Sequence, residues 1–252
     1  APALKLANIG VAMGERGTDV ARESAGLVLL NDDFSSIVQA VRMGRRIYDN
    51  LKKAISYIFS VHVPIAGMAL LPVLFKLPLV LLPAHIAFLE LIIDPACSTV
   101  YEAEPEESDI MRRPPRRLDR PLFDRTTFTM SLFHGLSVLA VVFLVFFLAL
   151  YLGKGEMEAR TLTFTALVVA NLSLIIANLT RDRSLRNIFA DDNPALKLVL
   201  AGAVVFLAII LYVPFFNEMF HFSFMHPNDL LISALAGAVS VLWLKLVRIN
   251  DQ

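Results

Sequence analysis

Residues 78–101 constrain this chain more than any other stretch, because they are long enough to cross a bilayer and yet carry two carboxylates. About 20 mostly apolar residues make a transmembrane helix, whereas an acidic side chain near its centre costs about 2.5 kcal/mol or more. Glu90 and Asp94 are four residues apart and share one face of the predicted helix. Pro95 has no N–H to donate to the Leu91 carbonyl. Two carboxylates beside a free carbonyl predict a cation-binding site.

A structural interpretation of the same acids stays open. Carboxyl groups inside a membrane can take up a proton or pair with a polar neighbour without binding a metal. Ionisable groups at that depth more often mark ion or proton paths, which favours the cation site. Cys97, one turn beyond Asp94, is either a ligand for a soft metal or a small buried packing residue.

The overall composition is that of an integral membrane protein. Hydrophobic residues make up 56% of the 252 residues and charged residues 18%, and the mean hydropathy is +0.63. The 23 basic and 23 acidic residues balance, so net charge indicates no nucleic-acid partner. The single cysteine excludes an internal disulfide and a multi-cysteine metal site.

Hydropathy predicts a mostly α-helical, multi-pass membrane protein with six transmembrane helices. The predicted spans are residues 54–75, 78–101, 127–152, 161–179, 195–216 and 230–247. The connections after the second and fourth spans are rich in arginine, and the opposite connections are poor in it. The rich connections hold Arg112, Arg113, Arg116, Arg117, Arg120, Arg125, Arg181, Arg183 and Arg186, and the poor ones Lys76, Lys154 and Arg160. The positive-inside rule then predicts that both termini are cytoplasmic.

The residues before the first span have a different character. Residues 9–14 and 27–30 are predicted buried strands, and residues 19–25 form a helix between them. A unit this small cannot cover both faces of a sheet, so residues 1–33 are predicted to end a larger α/β domain. Residues 34–53 are predicted as a stalk helix that continues into the membrane domain, residues 54–248. Glycine spacing here matches no phosphate loop, and no catalytic or cofactor-binding residue is assigned.

Polar residues in two other spans are candidate partners for the acids. His62 lies in the first span, where Pro64 frees the Ser60 carbonyl, and the hypothesis is that Ser60, His62 and that carbonyl face Glu90 and Asp94 across the helix pair. A histidine at this depth is either a ligand or a hydrogen-bonded packing residue. The fourth span carries Asn171, with Ser173 and Asn178, and its amides either join helices or supply neutral oxygens to an ion.

The first sixty residues resemble P-type cation-transporting ATPases, particularly the calcium-pump-like branch. The resemblance lies in IGVAMGERGTDVARESAGLVLLNDDF, residues 9–34, and in GRRIYDNLKKAISY, residues 44–57. It implies that residues 1–33 end a HAD-like phosphorylation domain and that the six spans correspond to the fifth through tenth membrane helices of a pump. It also implies ion ligands at Glu90 and Asp94 in FLELIIDPAC, at His62 and at Asn171, with Ca²⁺ as one transported cation.

The resemblance further implies that catalysis resides elsewhere in the pump. The family's DKTG, TGE and GDGxND motifs do not occur in this sequence, so the chain alone should not hydrolyse ATP. ATP and Mg²⁺ would be bound by upstream catalytic domains, which together with membrane helices 1–4 and the lipid bilayer are the expected partners. We expect a bacterial plasma membrane location.

Three functions are compatible with the sequence. The first is the transport portion of an ATP-driven cation pump. The second is a standalone cation or proton channel or secondary carrier, and the third is a structural membrane subunit whose acids are paired. The incomplete α/β unit at residues 1–33 favours the pump, because a free-standing channel has no use for it.

Overall fold

The computed structural model describes residues 1–115, 124–179 and 193–249. The described residues form two compact units. The first contains residues 1–49 and 106–114, and the second contains residues 50–105 and those from Pro115 onward. Arg116, Arg117, Arg120, Arg181, Arg183 and Arg186, which carry most of the predicted orientation, lie outside the described residues.

The first unit contains the predicted strand, helix and second strand. Its elements are α1 (Pro2–Leu6), β1 (Val11–Met13), α2 (Asp19–Ser24) and β2 (Leu27–Leu29). The strands are parallel, with Val11 opposite Leu27, as a crossover through a helix requires. The Thr18 hydroxyl accepts from the Ala21 N–H and caps α2. Both strands are shorter than predicted, and the assignment to a HAD-like domain stays a prediction.

Two aspartates organise the turn that leads from β2 into the next helix. Asp32 has a φ of 53°, and its carboxylate accepts from the backbone N–H groups of Glu15 and Arg16. Asp33 accepts from the Ser35 N–H at 2.8 Å and so is the residue that caps the following helix. Hydrogen bonds from Ser35 lower the pKa of Asp33.

Residues 106–114 are held within the first unit by two arginines. Arg113 pairs with Asp49 and with Asp109, both at 2.6 Å, and its hydrogen bond to Asp109 lowers the pKa of that carboxyl group. Arg45 donates to the backbone carbonyls of Ile110 and Arg113. Arg113, which the sequence marked only as an orientation charge, therefore serves as a structural anchor.

The predicted continuous helix is confirmed as α3 (Ser35–Leu74), which is 40 residues long. It contains Pro64 and Pro72, and each removes one backbone hydrogen bond without ending the helix. Residues of α3 belong to both units. The predicted stalk and first span are thus one secondary-structure element.

The acid-bearing helix begins later than predicted. Residues 78–82 are not helical, and α4 (Pro83–Pro95) has Leu82 as its N-cap and a proline in its first turn, where proline is favoured. Helical structure continues through a π-helix, Ala96–Val100, and α5 (Tyr101–Ala103). Pro95 therefore changes the type of helix rather than breaking it. At about 1.5 Å per residue, residues 83–103 span about 30 Å.

The remaining described helices are α6 (Arg125–Tyr151), α7 (Glu156–Leu179), α8 (Pro194–Tyr212), α9 (Pro214–Met219) and α10 (Pro227–Ile249). The predicted span 195–216 is wrong at its end, because α8 stops before Pro214 and that proline opens a separate short helix. By length and composition, α3, α6, α7 and α8 can each cross a membrane. The number six stays a prediction for the whole chain.

Of the four long apolar helices among the described residues, α7 is the most buried. In its most apolar 18-residue stretch 78% of the residues are buried, against 28% for α6 and α8. Glycine permits its close packing with α10, since a Cβ at Gly237 would lie 2.3 Å from the Ala166 carbonyl oxygen and 3.1 Å from the Ala170 nitrogen. Small residues that let helix backbones approach are a usual means of packing in membranes.

We predict that Gly237→Ala destabilises the second unit by about 1–3 kcal/mol, because the added methyl group meets backbone atoms that cannot rotate away. The measurement is the melting temperature of the detergent-solubilised protein. Gly202→Ala is the matched control: it lies in α8 with nothing within 4 Å of the added Cβ, so it should leave the melting temperature unchanged or raised. Equal losses in both variants would contradict the packing explanation.

Candidate cation site

Two of the predicted ligands come together between α3 and α4. The His62 Nε2 atom lies 3.7 Å from the Glu90 Oε1 atom, and the two side chains are 49% and 41% exposed. This separation is longer than a hydrogen bond. The imidazole of α3 and the carboxylate of α4 therefore lie side by side without a direct hydrogen bond.

The other ring nitrogen of His62 has a fixed role. Nδ1 lies 2.8 Å from the carbonyl oxygen of Ile58, one turn earlier in α3. A carbonyl oxygen can only accept, so Nδ1 carries a proton and donates it. In the neutral ring Nε2 then holds the lone pair, on the side of Glu90. A backbone carbonyl that orients a histidine in this way is the usual support of a metal-binding imidazole.

Asp94 extends this site along α4. Asp94 is exposed and lies one helical turn after Glu90. The Asp94 carbonyl accepts from the Ser98 hydroxyl at 2.8 Å, which fixes the backbone where α4 passes into the π-helix. Single π-turns inside α-helices are frequent at functional sites. Among the described residues, however, no three His, Cys, Asp or Glu side chains meet as a metal-binding group.

Asn171 is the most unusual polar residue of α7. It is 0% exposed, and within the described part of the chain neither its Oδ1 nor its Nδ2 has a hydrogen-bond partner. Its neighbours are satisfied internally: Ser173 donates to the Val169 carbonyl and Asn178 to the Leu174 carbonyl. An unmatched buried amide costs about 1–3 kcal/mol. The buried amide of Asn171 is therefore a candidate ligand. It forms no hydrogen bond with His62 or Glu90 in the described structure.

The expectation for Ser60 is wrong. Its hydroxyl donates to the Ser56 carbonyl, and its own carbonyl, which Pro64 leaves free, lies 2.7 Å from a Cβ built at Gly135. Gly135 belongs to α6, so this side of α3 packs against α6. His62 is two residues further along α3 and therefore points in a different direction. Of Ser60, His62 and the Ser60 carbonyl, His62 is the group that the structure places beside Glu90.

Sequence reasoning missed the role of Arg160, which it counted only as a topology charge. The residue is 8% exposed. Its guanidinium donates to the Leu79 carbonyl through Nε and Nη2 and to the His221 carbonyl through Nη1, at 2.9–3.1 Å. Arg160 therefore holds the extended segment that leads into α4. The sequence signal was an arginine at the start of an otherwise apolar span.

Two buried tyrosines near the site were also missed. Tyr57 is 0% and Tyr101 is 1% exposed, and their ring centroids are 5.6 Å apart. Neither hydroxyl has a hydrogen-bond partner among the described residues. Tyr57 ends the motif of residues 44–57, and Tyr101 precedes an acidic run, but neither pattern predicts that the two rings are buried against each other.

A buried ion pair follows the π-helix. Lys53 Nζ lies 4.0 Å from Glu104 Oε1, and the two residues are 7% and 3% exposed. Asn50 donates to the Glu104 carbonyl at 2.8 Å, and Asn193 donates to its carboxylate at 3.3 Å. Such a pair requires this surrounding hydrogen bonding to offset desolvation. It fixes the end of the acid-bearing segment to α3.

Comparison with known proteins identifies the family of this chain. The family model described as "Cation transporting ATPase, C-terminus" matches residues 78–249. The chain belongs to the P-type cation-transporting ATPases, as their C-terminal part. The residues of α4 that hold Glu90 and Asp94, and the helix that holds Asn171, lie inside the matched region.

Relatives are found in several organisms. The chain is 32% identical to a calcium-transporting ATPase of Bacillus subtilis over 91% of its length, and 29% identical to calcium-transporting ATPase 1 of Schizosaccharomyces pombe over 98%. It is 33% identical to probable cation-transporting ATPase F of Mycobacterium tuberculosis over 87%. The chain spans only about a quarter of these relatives, namely 26%, 28% and 24% of their lengths.

We predict that Arg160→Gln lowers the melting temperature of the protein, with a loss of about 2–4 kcal/mol, because buried carbonyls lose a charged donor. Lys154→Gln is the control. Lys154 pairs with Asp229 at 2.8 Å, but both side chains are about a third exposed, and such a pair contributes about 0–1 kcal/mol. A larger loss in the lysine variant than in the arginine variant would contradict this assignment.

Proposed function

We propose that this chain is the transport portion of an ATP-driven cation pump, and that Glu90, Asp94, His62 and Asn171 bind the transported cation. The observation that carries the proposal is the pair of His62 and Glu90, set 3.7 Å apart on helices of membrane-spanning character. Ionisable groups at such depth are costly and usually functional. Family membership favours the pump over a standalone channel or carrier and over a structural subunit.

The half-exposed state of the pair indicates that further protein covers it. A carboxylate and an imidazole facing lipid would be unfavourable, so we propose that upstream membrane helices of the same pump pack over them. Those helices would add ligands to the ones from α3, α4 and α7. Asn171 would gain its missing partner either from the cation or from the rearranged helices.

The proposed pump hydrolyses ATP in upstream domains. There, ATP and Mg²⁺ would bind, and residues 1–33 would complete a HAD-like phosphorylation domain. The 40-residue α3 would carry the motion of that domain to His62. In this proposal, phosphorylation and cation affinity are two coupled equilibria, and the carrier of the coupling is a continuous helix.

The membrane arrangement completes the proposal. We infer six spans, in which residues 83–103 and α10 join the four long apolar helices, with both termini in the cytoplasm. The pump would reside in a bacterial plasma membrane. The names of the relatives support calcium as one candidate cargo.

The test is cation-stimulated ATPase activity of the full-length pump in liposomes, scanned across divalent cations. Glu90→Gln and Asp94→Asn each remove a charged ligand and should raise the cation concentration for half-maximal stimulation by about tenfold or more, since loss of a ligand's hydrogen-bond partner alone costs about 10–100-fold. Asp229→Asn is the control, since Asp229 pairs with Lys154 outside the proposed ligand set. Unchanged stimulation in both site variants would show that the acids are structural.

A further inference from the structure

We infer that His62 makes this a nitrogen-containing site, which binds a divalent first-row transition metal, such as Mn²⁺, Fe²⁺, Co²⁺ or Zn²⁺, more tightly than Ca²⁺. The inference rests on the proposed function, since it names the cargo class of the same site. It starts from the geometry of the histidine, which the fold presents as a ligand.

The orientation of the imidazole is the first step. Nδ1 donates to the Ile58 carbonyl at 2.8 Å, so the neutral ring directs the Nε2 lone pair toward Glu90. The backbone carbonyl fixes both the tautomer and the ring position before any metal arrives. A backbone carbonyl supports metal-bound histidines in the same way, and here it leaves Nε2 as the ring atom that can bind a metal.

The distance between the two donors is the second step. Nε2 and the Glu90 Oε1 atom are 3.7 Å apart, beyond hydrogen-bond length. Two bonds of about 2.1 Å to one tetrahedral metal ion place their donor atoms about 3.4 Å apart, slightly closer than the observed pair. The gap therefore suits one cation bound by both side chains, with little movement of α3 or α4.

The kinds of donor atom decide the metal class. Imidazole nitrogen suits transition metals, and carboxylates are compatible with them, whereas Ca²⁺ takes six to eight oxygen ligands. The positions one turn before and after His62 are apolar; they are Ile58, Phe59, Ile65 and Ala66. On α4, the positions one turn from Glu90 are Ile86, Ala87, Ile93 and Asp94. On these two helices the candidate donors are one imidazole nitrogen and two carboxylates. The nitrogen favours a transition metal over Ca²⁺, whichever oxygens the other helices add.

The experiment uses Mn²⁺ as the probe and the purified full-length pump as the protein. Electron spin-echo spectroscopy of bound Mn²⁺ should show the modulation of a coordinated ¹⁴N nucleus in the wild type. His62→Gln should abolish that modulation and weaken Mn²⁺ binding by about 10–100-fold in equilibrium dialysis. His134→Gln, in α6 and outside the ligand set, is the matched control and should retain both. The melting temperature of each variant is measured alongside.

A second variant keeps the test informative if His62→Gln folds poorly. His62→Asp substitutes oxygen for nitrogen, so it should abolish the ¹⁴N signal while shifting the ratio of Mn²⁺ to Ca²⁺ affinity toward Ca²⁺. The inference is overturned if wild-type Mn²⁺ shows no ¹⁴N coupling, or if Ca²⁺ displaces Mn²⁺ from the wild type at equal concentration.

The failure of this inference differs from the failure of the proposed function. One outcome is that Ca²⁺ stimulates the ATPase, and that Glu90→Gln and Asp94→Asn weaken this stimulation whereas His62→Gln does not. That outcome supports the pump and contradicts the nitrogen ligand. If the two acid variants bind and respond to every metal as the wild type does, the site itself is wrong.

Discussion

The cost of a polar group at bilayer depth governs this structure. Hydroxyl groups in the helices meet that cost locally by donating to the carbonyl one turn earlier, as Thr163 and Thr165 do in α7. The imidazole of His62 is only half satisfied in this way, since Nδ1 is bonded and Nε2 faces a carboxylate at 3.7 Å. The amide of Asn171 is not satisfied at all within the described residues. Among the proposed ligands, His62 and Asn171 thus both keep polar atoms that the protein itself does not bond.

The acid-bearing segment is anchored on both sides of this site. Before α4, the buried guanidinium of Arg160 holds the Leu79 carbonyl. After the π-helix, Glu104 is fixed by Lys53 and two asparagines. Between these anchors, Pro95 weakens the regular hydrogen bonding of the helix. Glu90 and Asp94 thus lie on a segment that is held at both ends and carries a proline between the two anchors.

Much of the architecture follows from local sequence. The absence of a breaker from Phe34 through Tyr57 predicts a helix that continues into the first span, and α3 is that helix. The start of α4 could not be predicted in the same way, because apolar residues 78–82 fit a helix as well as an extended segment. Arg160, more than 70 residues away, holds Leu79 in that extended segment. Likewise, only packing against Gly135 of α6 shows that the Ser60 carbonyl points away from the acids.

The sequence by itself determined that this is a membrane protein with a costly pair of acids in one span, because hydropathy and the charge on Glu90 and Asp94 are properties of the residues alone. It also singled out His62 and Asn171. Tertiary structure alone decided that His62 meets Glu90, that its Nδ1 is occupied, and that Arg160 and Glu104 hold the two ends of the segment. The physical reason is that contacts between helices depend on their rotation and depth, and these are set by packing across the whole bundle.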